Sequence, residues 1–469
     1  MAIGSLLIAN RGEIAVRIIR AARLLGIRTV QAHSAADADS LAVRMADEAV
    51  LIGPPPAAKS YLDIGAVMKA AREAGVDAVH PGYGFLAENP DFADAVVSAG
   101  MIFVGPDVSA IRLLGDKVAA RRVAREAGVP TVPGSEGRIA GIEEARALVG
   151  EIGFPVMIKA AAGGGGRGIR IVRDFDEFEK QFPQAASEAQ AAFGDGGLYI
   201  EKVIENARHI EVQILGDGEN VIHCFERECS LQRRRQKVWE EAPAFGLSPA
   251  VREALTASAV ALARSVSYRG AGTVEYLYDA DSGAFYFIEV NTRIQVEHPV
   301  TEMITGIDLV AEMIRIAGGE KLSIPQEAVR ISGHAIECRI NAEDPTQNFM
   351  PSPGQVTALV EPEGEGIRFD TMLYDGYWVP PFYDSLLGKM IVHGADRKDA
   401  IARMEAALKA LTIGGIRTTV PLHLAIAANP DVAAGAIHTK YLEGWLADTP
   451  LSASLSTSLS PAASQTENA

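Results

Sequence analysis

Cysteine is scarce in this 469-residue chain, which has only Cys224, Cys229 and Cys338. Three thiols with no CxxC pair form neither a disulfide framework nor a paired-cysteine metal site, and they fit a reducing compartment. Basic residues are also short. There are 44 Lys and Arg against 60 Asp and Glu, a net charge of -16. That balance argues against nucleic acid as a partner, because phosphate backbones are met by net basic surfaces. An anionic substrate would need a local basic pocket inside an acidic protein. No segment has eighteen uninterrupted apolar residues, and the short apolar run in residues 1–10 reaches Arg11 and Glu13 at once. The expectation is no signal peptide, no spanning helix and no membrane partner, hence a soluble cytoplasmic enzyme. There is no internal repeat. No GK[ST] follows the glycine cluster, which excludes a P-loop.

The composition that remains is ordinary for a globular protein, 48% hydrophobic and 22% charged. Residues 6–9, 29–33, 78–80 and 101–104 read as buried strands. Helical periodicity over 13–25 and 63–74 separates them, each stretch stopping at a glycine (Gly26, Gly75). Strands alternating with helices predict a parallel sheet covered on both faces. We place a first domain at 1–114. A second, 115–330, opens with a helix over 117–127 and a Gly/Pro-rich hinge over 128–134, and holds a mobile lid at 131–204. A third, 331–447, mixes strands (333–341, 355–360, 388–393) with a helix over 397–411. Residues 448–469, poor in core pattern and rich in Ser, Ala and Thr, read as a disordered tail.

Charge is concentrated where apolar residues should dominate. Two strand-like segments flank the turn Asp279-Ala-Asp-Ser-Gly283. A hairpin centred on Ser282 sets Glu275 opposite Glu289, and directly opposed side chains lie roughly 5 Å apart, where like charges repel. A divalent cation removes that repulsion, and Mg²⁺ on one or two carboxylates plus phosphates is the usual arrangement. Asn291 adds a neutral oxygen on the same face. The alternative is an exposed acidic face, and the interleaved apolar residues speak against it. The run Arg293-Ile-Gln-Val-Glu-His298 follows at once. Together these segments point to metal-assisted chemistry on an anion.

Other motifs are weaker alone. Pro155-Val-Met-Ile-Lys159 is a strand, and Gly163-Gly-Gly-Gly-Arg-Gly168 returns into the strand Ile169-Arg-Ile-Val172. A glycine loop between antiparallel strands is a flap that lays backbone N–H groups over phosphates, with Lys159 at its base; a loop without a ligand is the alternative. Gln232-Arg-Arg-Arg-Gln-Lys237, after a strand over 221–225, is either a solvated charge run or an anion site. His80-Pro-Gly-Tyr-Gly-Phe85 is either a plain turn or a ligand loop at a strand's carboxyl end. His209 starts a strand and on its own reads as structural.

These segments occur in order together with Ile8-Ala-Asn-Arg-Gly-Glu-Ile14, Arg293-Ile-Gln-Val-Glu-His-Pro-Val-Thr-Glu302 and Glu337-Cys-Arg-Ile-Asn-Ala-Glu343. Over residues 6–445 the chain resembles the biotin carboxylase family of ATP-grasp enzymes. The resemblance implies an α/β (α+β) fold: an N-terminal Rossmann-like parallel-sheet domain, an ATP-grasp domain and a C-terminal mixed β domain. It implies that ATP phosphorylates bicarbonate to carboxyphosphate and that the released carbon dioxide carboxylates biotin on a carrier. Lys117, Lys159, Gly164, Gly165, Gly166, His209, Gln232, Arg235 and Leu277 then contact ATP, with Glu201, Lys202 and Ile204 as the hinge beside adenine. Glu275 and Glu289 hold Mg²⁺ or Mn²⁺, with Asn291 beside them. Lys237, Arg293, Gln295 and the Val296 backbone hold bicarbonate, and Glu297 is the general base. Arg293 and Arg339 stabilise the biotin enolate, while Tyr83 and Asp384 line the biotin site.

The implied partners are a biotin carboxyl carrier protein, carboxyltransferase subunits and a second copy of the chain, in an acetyl-CoA carboxylase serving fatty acid biosynthesis. The chain departs from the family at Arg235, where histidine is usual, at Trp239, which replaces a small aliphatic, and at Ala161 and Ala162, which precede the glycine run and stiffen it. Biotin carriers present lysine as Ala-Met-Lys-Met. The nearest match here is Gly388-Lys-Met390, which lacks the first Met and reads as core. Two other readings stay open: an ATP-grasp ligase with an amine acceptor, and a nucleotide-binding subunit without turnover.

Overall fold

The computed structural model describes residues 3–139, 141–160, 169–193, 196–449 and 451. The flap glycines Gly164, Gly165 and Gly166 and the tail at 452–469 lie outside the described residues.

Strands β1 (Ser5–Ile8), β2 (Arg28–Ser34), β3 (Glu48–Gly53), β4 (Ala78–His80) and β5 (Ile102–Phe103) form a parallel sheet in the order β3-β2-β1-β4-β5. Leu6, Leu7 and Ile8 are all fully buried, as expected of a strand with helices on both faces. The first helix, Gly12–Leu24, buries Ile14, Ile18 and Ile19 and is followed by Gly26 at φ 70°. At the carboxyl ends of β1 and β4, the Asn10 Nδ2 donates to the Pro81 and Tyr83 carbonyls at 2.6 and 2.7 Å. Gly82 sits there at φ 64°, where a Cβ would meet the Asn10 Nδ2 at 2.9 Å. Only glycine fits that turn.

Strands β6 (Val156–Ala160), β7 (Ile169–Val172) and β8 (Leu198–Lys202) make a small antiparallel sheet, β7-β6-β8. Val156 and Ile158 point into a core with Phe178 and Phe182, and Lys159 therefore takes the other face.

The largest sheet has eight antiparallel strands. They are β9 (Ala207–Asp217), β10 (Val221–Arg233), β11 (Gln236–Ala242), β12 (Arg269–Asp279), β13 (Phe285–Asn291), β14 (His334–Asn341), β15 (Ile367–Thr371) and β16 (Leu386–Gly394). Their order is β13-β12-β9-β10-β11-β14-β16-β15. Strands from the second and third regions thus share one sheet, joined where Trp239 faces Cys338 and Glu240 faces Glu337.

Two strand expectations need correction. The strand expected over 221–225 continues to Arg233, because its charged residues are paired rather than solvated: Arg227 with Glu211, and Glu228 with Arg208. The basic run is consequently a hairpin, with Arg234 and Arg235 at φ 49° and 65° in the turn. The strand expected over 355–360 is two short ones. Gly354–Gln355 pairs with Trp378–Val379, and Ala358–Val360 with Thr412–Gly414. All three cysteines are free and buried. Among the described residues no helix is long and apolar enough to cross a membrane.

Candidate active site

A cavity of about 830 Å³ lies between the small sheet and the large one. Its walls include Lys117, Lys159, Glu201, His209, Gln232, Arg235, Lys237, Glu275, Leu277, Glu289, Asn291, Arg293, Gln295, Val296, Glu297 and Arg339. Residues from Lys117 to Arg339 are brought together because β9 to β13 are neighbours and the turn after β13 folds back over β14 and β16. An adjoining pocket of about 190 Å³ holds Tyr83 and Asp384 and shares Lys237, Val296 and Arg339 with the cavity. Two expected residues stand apart. Ile204 is buried and does not line the cavity, and the Lys202 ammonium donates to the Gly153 and Phe154 carbonyls at 3.1 and 2.7 Å. The Lys202 side chain is therefore an anchor between β8 and the segment before β6.

The hairpin register is as expected at the site, with Glu275 opposite Glu289. A bulge intervenes, since Tyr276 faces Phe287, so the register nearer the turn differs by one. Glu275 accepts from Lys237, Asn291 and Gln295, each at 2.9 Å, and lies 3.1 Å from the His209 Nε2. Glu289 is more open and pairs with Lys117 at 3.2 Å. Two facing carboxylates and an amide oxygen are a hard donor set of the kind Mg²⁺ takes. Burial alone would lower the His209 pKa, but Glu275 and Glu211 outweigh it and raise it to about 9.

Lys237 is the centre of charge. Its ammonium bonds Glu211, Glu275 at 2.9 Å and Glu297 at 2.6 Å. The other Glu297 oxygen accepts from the Arg339 Nη2 at 3.0 Å. Burial would raise the Glu297 pKa, yet Lys237 and Arg339 hold it below the usual carboxylate range. Glu297 is thus ionised at neutral pH, buried, and aimed at the cavity between two cations, the state required of a base. Arg293 is held by Glu88 at 2.9 Å and reaches the Asn291 Oδ1 at 3.2 Å. Across the cavity Glu201 ties Lys159 to Arg121. The Gln232 Nε2 donates to the Cys229 carbonyl at 2.9 Å and lies 3.1 Å from the His209 Nδ1.

Sequence reasoning missed the supports of these groups. Arg227 and Glu211 lie fully buried beneath Lys237. Glu88, just before the helix Pro90–Ser98, orients Arg293, and Glu240 holds Arg339 at 2.6 Å. Lys389, from the Gly388-Lys-Met390 segment, is core as expected. Its ammonium donates to the Val296 carbonyl at 2.7 Å and lies 3.3 Å from Glu13. Glu211 interrupts the apolar run from Ile210 to Leu215, and that charge at an inward strand position was an available signal, whereas Arg227 sits between Glu226 and Glu228 and reads as part of a charged stretch.

Residues 2–111 match the family model of the biotin carboxylase N-terminal domain. Residues 116–325 match that of the carbamoyl-phosphate synthase L chain ATP-binding domain, and 337–444 the biotin carboxylase C-terminal domain. The chain is 55% identical over 439 residues to a protein named biotin carboxylase from Pseudomonas aeruginosa, covering 93% of this chain and 97% of that one. Among solved structures it is similar to the biotin carboxylase domain of a thermophilic 2-oxoglutarate carboxylase bound to bicarbonate (TM-score 0.90, 46% identity, 95% of this chain and 98% of that one). A dimer of the Hydrogenobacter thermophilus domain, in complex with MgADP, ADP and bicarbonate, is also similar (TM-score 0.84, 48% identity, 95% and 98%).

Proposed function

The chain belongs to the biotin carboxylase family, and from that premise we propose that it carboxylates biotin on a separate carrier protein, using ATP and bicarbonate through carboxyphosphate. The observation that carries this reading is Glu297, ionised and wedged between Lys237 and Arg339 at 2.6 and 3.0 Å. Bicarbonate is a weak nucleophile, and a carboxylate that accepts its proton as the phosphoryl group is transferred supplies the missing driving force.

The residue roles are those the family resemblance implies. Lys117, Lys159, His209, Gln232, Arg235 and Leu277 bind and orient the nucleotide, with the backbone of the segment from Glu201 through Lys202 to Ile204 beside the base and the Lys202 and Ile204 side chains turned away from the cavity. Gly164, Gly165 and Gly166, outside the described residues, are assigned to the nucleotide by the resemblance. Glu275, Glu289 and Asn291 would hold Mg²⁺ or Mn²⁺, which when bound neutralises charge on the phosphates. Lys237, Arg293, Gln295 and the Val296 backbone hold bicarbonate. The guanidinium forks of Arg293 and Arg339 suit a planar oxyanion, first bicarbonate and then the biotin enolate. Tyr83 and Asp384 line the space for the biotin ring.

We take the chain as three domains, 1–114, 115–330 with a lid at 131–204, and 331–447. We further assign it to the first half-reaction of an acetyl-CoA carboxylase in fatty acid biosynthesis, working in the cytoplasm as a homodimer with a carrier and carboxyltransferase. The acetyl-CoA acceptor rests on the family resemblance alone, and relatives named for pyruvate and 2-oxoglutarate carboxylases stand at 50% and 46% identity. Support for the homodimer is the dimeric Hydrogenobacter relative.

The test is ATP hydrolysis by the purified chain with Mg²⁺, with and without bicarbonate and free biotin. Turnover that needs bicarbonate and rises with biotin is expected. Turnover indifferent to both would assign a different ligase, and nucleotide binding without turnover would assign a regulatory subunit.

A further inference from the structure

Behind the Glu297–Arg339 pair lies a second layer of buried charge. Glu240 on β11 and Glu337 on β14 are directly opposed across the strand pair, and both are fully buried. Directly opposed side chains in a sheet are close neighbours, and two negative charges there repel. The cations nearby are already engaged. Arg339 gives its Nε to Glu240 at 2.6 Å and its Nη2 to Glu297 at 3.0 Å. Lys389 is held by the Val296 carbonyl and Glu13. Lys237 is held by Glu211, Glu275 and Glu297. Neither Glu337 oxygen has a hydrogen-bond partner among the described residues, and neither has the Glu240 Oε2. A buried carboxylate without a cation is costly, and taking up a proton is its cheapest relief.

We propose that Glu240 and Glu337 form a proton-sharing pair that positions Arg339 against Glu297. With one proton between them the pair carries a single negative charge, which Arg339 balances at one edge of its guanidinium. The Nη2, 2.6 Å from Glu240 and 3.0 Å from Glu297, keeps its second N–H for Glu297. Burial pushes the Glu337 carboxyl well above its usual range despite Lys389, and that of Glu240 to about 7 despite Arg339. The charged groups acting on Glu337 are Lys389, Glu240, Arg339 and Glu297. The ring of His298, which follows Glu297, is kept neutral by burial and by Lys389. Loss of the shared proton at alkaline pH leaves two carboxylates competing for Arg339 and draws it from Glu297. Glu240 and Glu337 are positioning residues in this scheme; neither lines the cavity.

The kinetic arm of the test rests on the proposed biotin carboxylation, and a spectroscopic arm does not. Infrared difference spectra of the full chain against Glu337→Gln at neutral pH are expected to show a protonated-carboxyl band, shifted in D₂O, that the variant lacks. The pH profile of kcat/KM for free biotin is then compared across wild type, Glu337→Gln and Glu240→Gln. The amide in Glu337→Gln mimics the neutral acid, so its alkaline limb moves to higher pH. Glu240→Gln removes the charge that holds Arg339, and a charge-assisted hydrogen bond of that kind is worth about a tenfold loss in kcat/KM for biotin. Its KM for ATP stays as in wild type. Glu240→Asp replaces it if the glutamine variant does not fold. No protonated-carboxyl band, or an alkaline limb unmoved in Glu337→Gln, overturns the proposal. Wild type without bicarbonate-dependent turnover would sink the functional reading instead, and the infrared result would still stand or fall separately.

Discussion

Replacing Arg227 by methionine tests whether the site is held from below. The Arg227 guanidinium is fully buried and all five of its N–H groups are used. Its Nε donates to Glu211 at 2.6 Å. Its Nη1 donates to Gln213 at 2.7 Å and Thr301 at 3.0 Å, and its Nη2 to Thr273 at 3.0 Å and Gln295 at 2.9 Å. Methionine fills most of the volume and supplies no donor. Hydroxyls and amides can turn to other partners, but Glu211 is buried and keeps only Lys237 and, at 3.7 Å, the His209 ring as counter-charges. Breaking one side of a buried ion pair costs about 3–5 kcal/mol. Against a typical domain stability of about 5–15 kcal/mol, that is a large share. Lysine keeps the charge with three donors in place of five, so Arg227→Lys should lose about 2 kcal/mol, two hydrogen bonds at about 1 each. The assay is urea unfolding, reading the midpoint at unchanged slope. Gln295 is also fixed at both ends, by Arg227 on its oxygen and Glu275 on its nitrogen. Freed at one end, its amide loses orientation and the KM for bicarbonate rises. An Arg227→Met chain within about 1 kcal/mol of wild type, less than an ordinary core substitution, would refute the reasoning.

Four further outcomes are expected. Glu297→Gln keeps the shape of the base and removes its basicity, so bicarbonate-dependent ATP turnover should fall by about 10²–10⁴, with nucleotide binding retained by calorimetry. Removing divalent ions leaves Glu275 with Lys237 and His209, so nucleotide affinity should drop while the thermal midpoint of the nucleotide-free chain barely moves. Gly82→Ala forces a Cβ into the left-handed region, 2.9 Å from the Asn10 Nδ2, and should cost about 1–3 kcal/mol by thermal denaturation. His80 is buried, accepts the Gly82 N–H on its Nδ1, and has its pKa lowered by burial from 6.5 to about 3. The unfolded chain therefore binds the extra proton. Its contribution to stability is complete above pH 6.5 and is lost as pH falls toward 3. At pH 5 the loss reaches about 2 kcal/mol. His80→Asn, which keeps an acceptor and cannot charge, should flatten that slope in acid unfolding curves.

Much of the site was legible because its residues sit in short contiguous motifs. The Glu275–Glu289 opposition followed from strand alternation and a turn centre, and survives although a bulge shifts the register between it and the turn. Arg293 to His298 could be read as one segment because its chemistry is local. What could not be read were residues whose meaning depends on a distant partner. Lys389 looks like a stray charge in an apolar strand until Glu13, 376 positions away, is seen beside it. The basic run 232–237 was ambiguous because a solvated turn and an anion site have the same composition. Only the pairing of β10 with β11 sends Lys237 inward and leaves Arg234 in the turn.

By itself the sequence determined the alternation of strands and helices and the parallel first sheet. These are set by periodicity and by side-chain chemistry, which are properties of neighbours along the chain. The tertiary structure decided the rest: one eight-stranded sheet spanning two regions, the convergence of Glu211, Glu275 and Glu297 on Lys237, and the buried layer of Arg227, Glu240, Glu337 and Lys389 beneath them. The physical reason is that burying a charge is unfavourable everywhere except where a counter-charge already waits, and that place exists only once distant strands have paired.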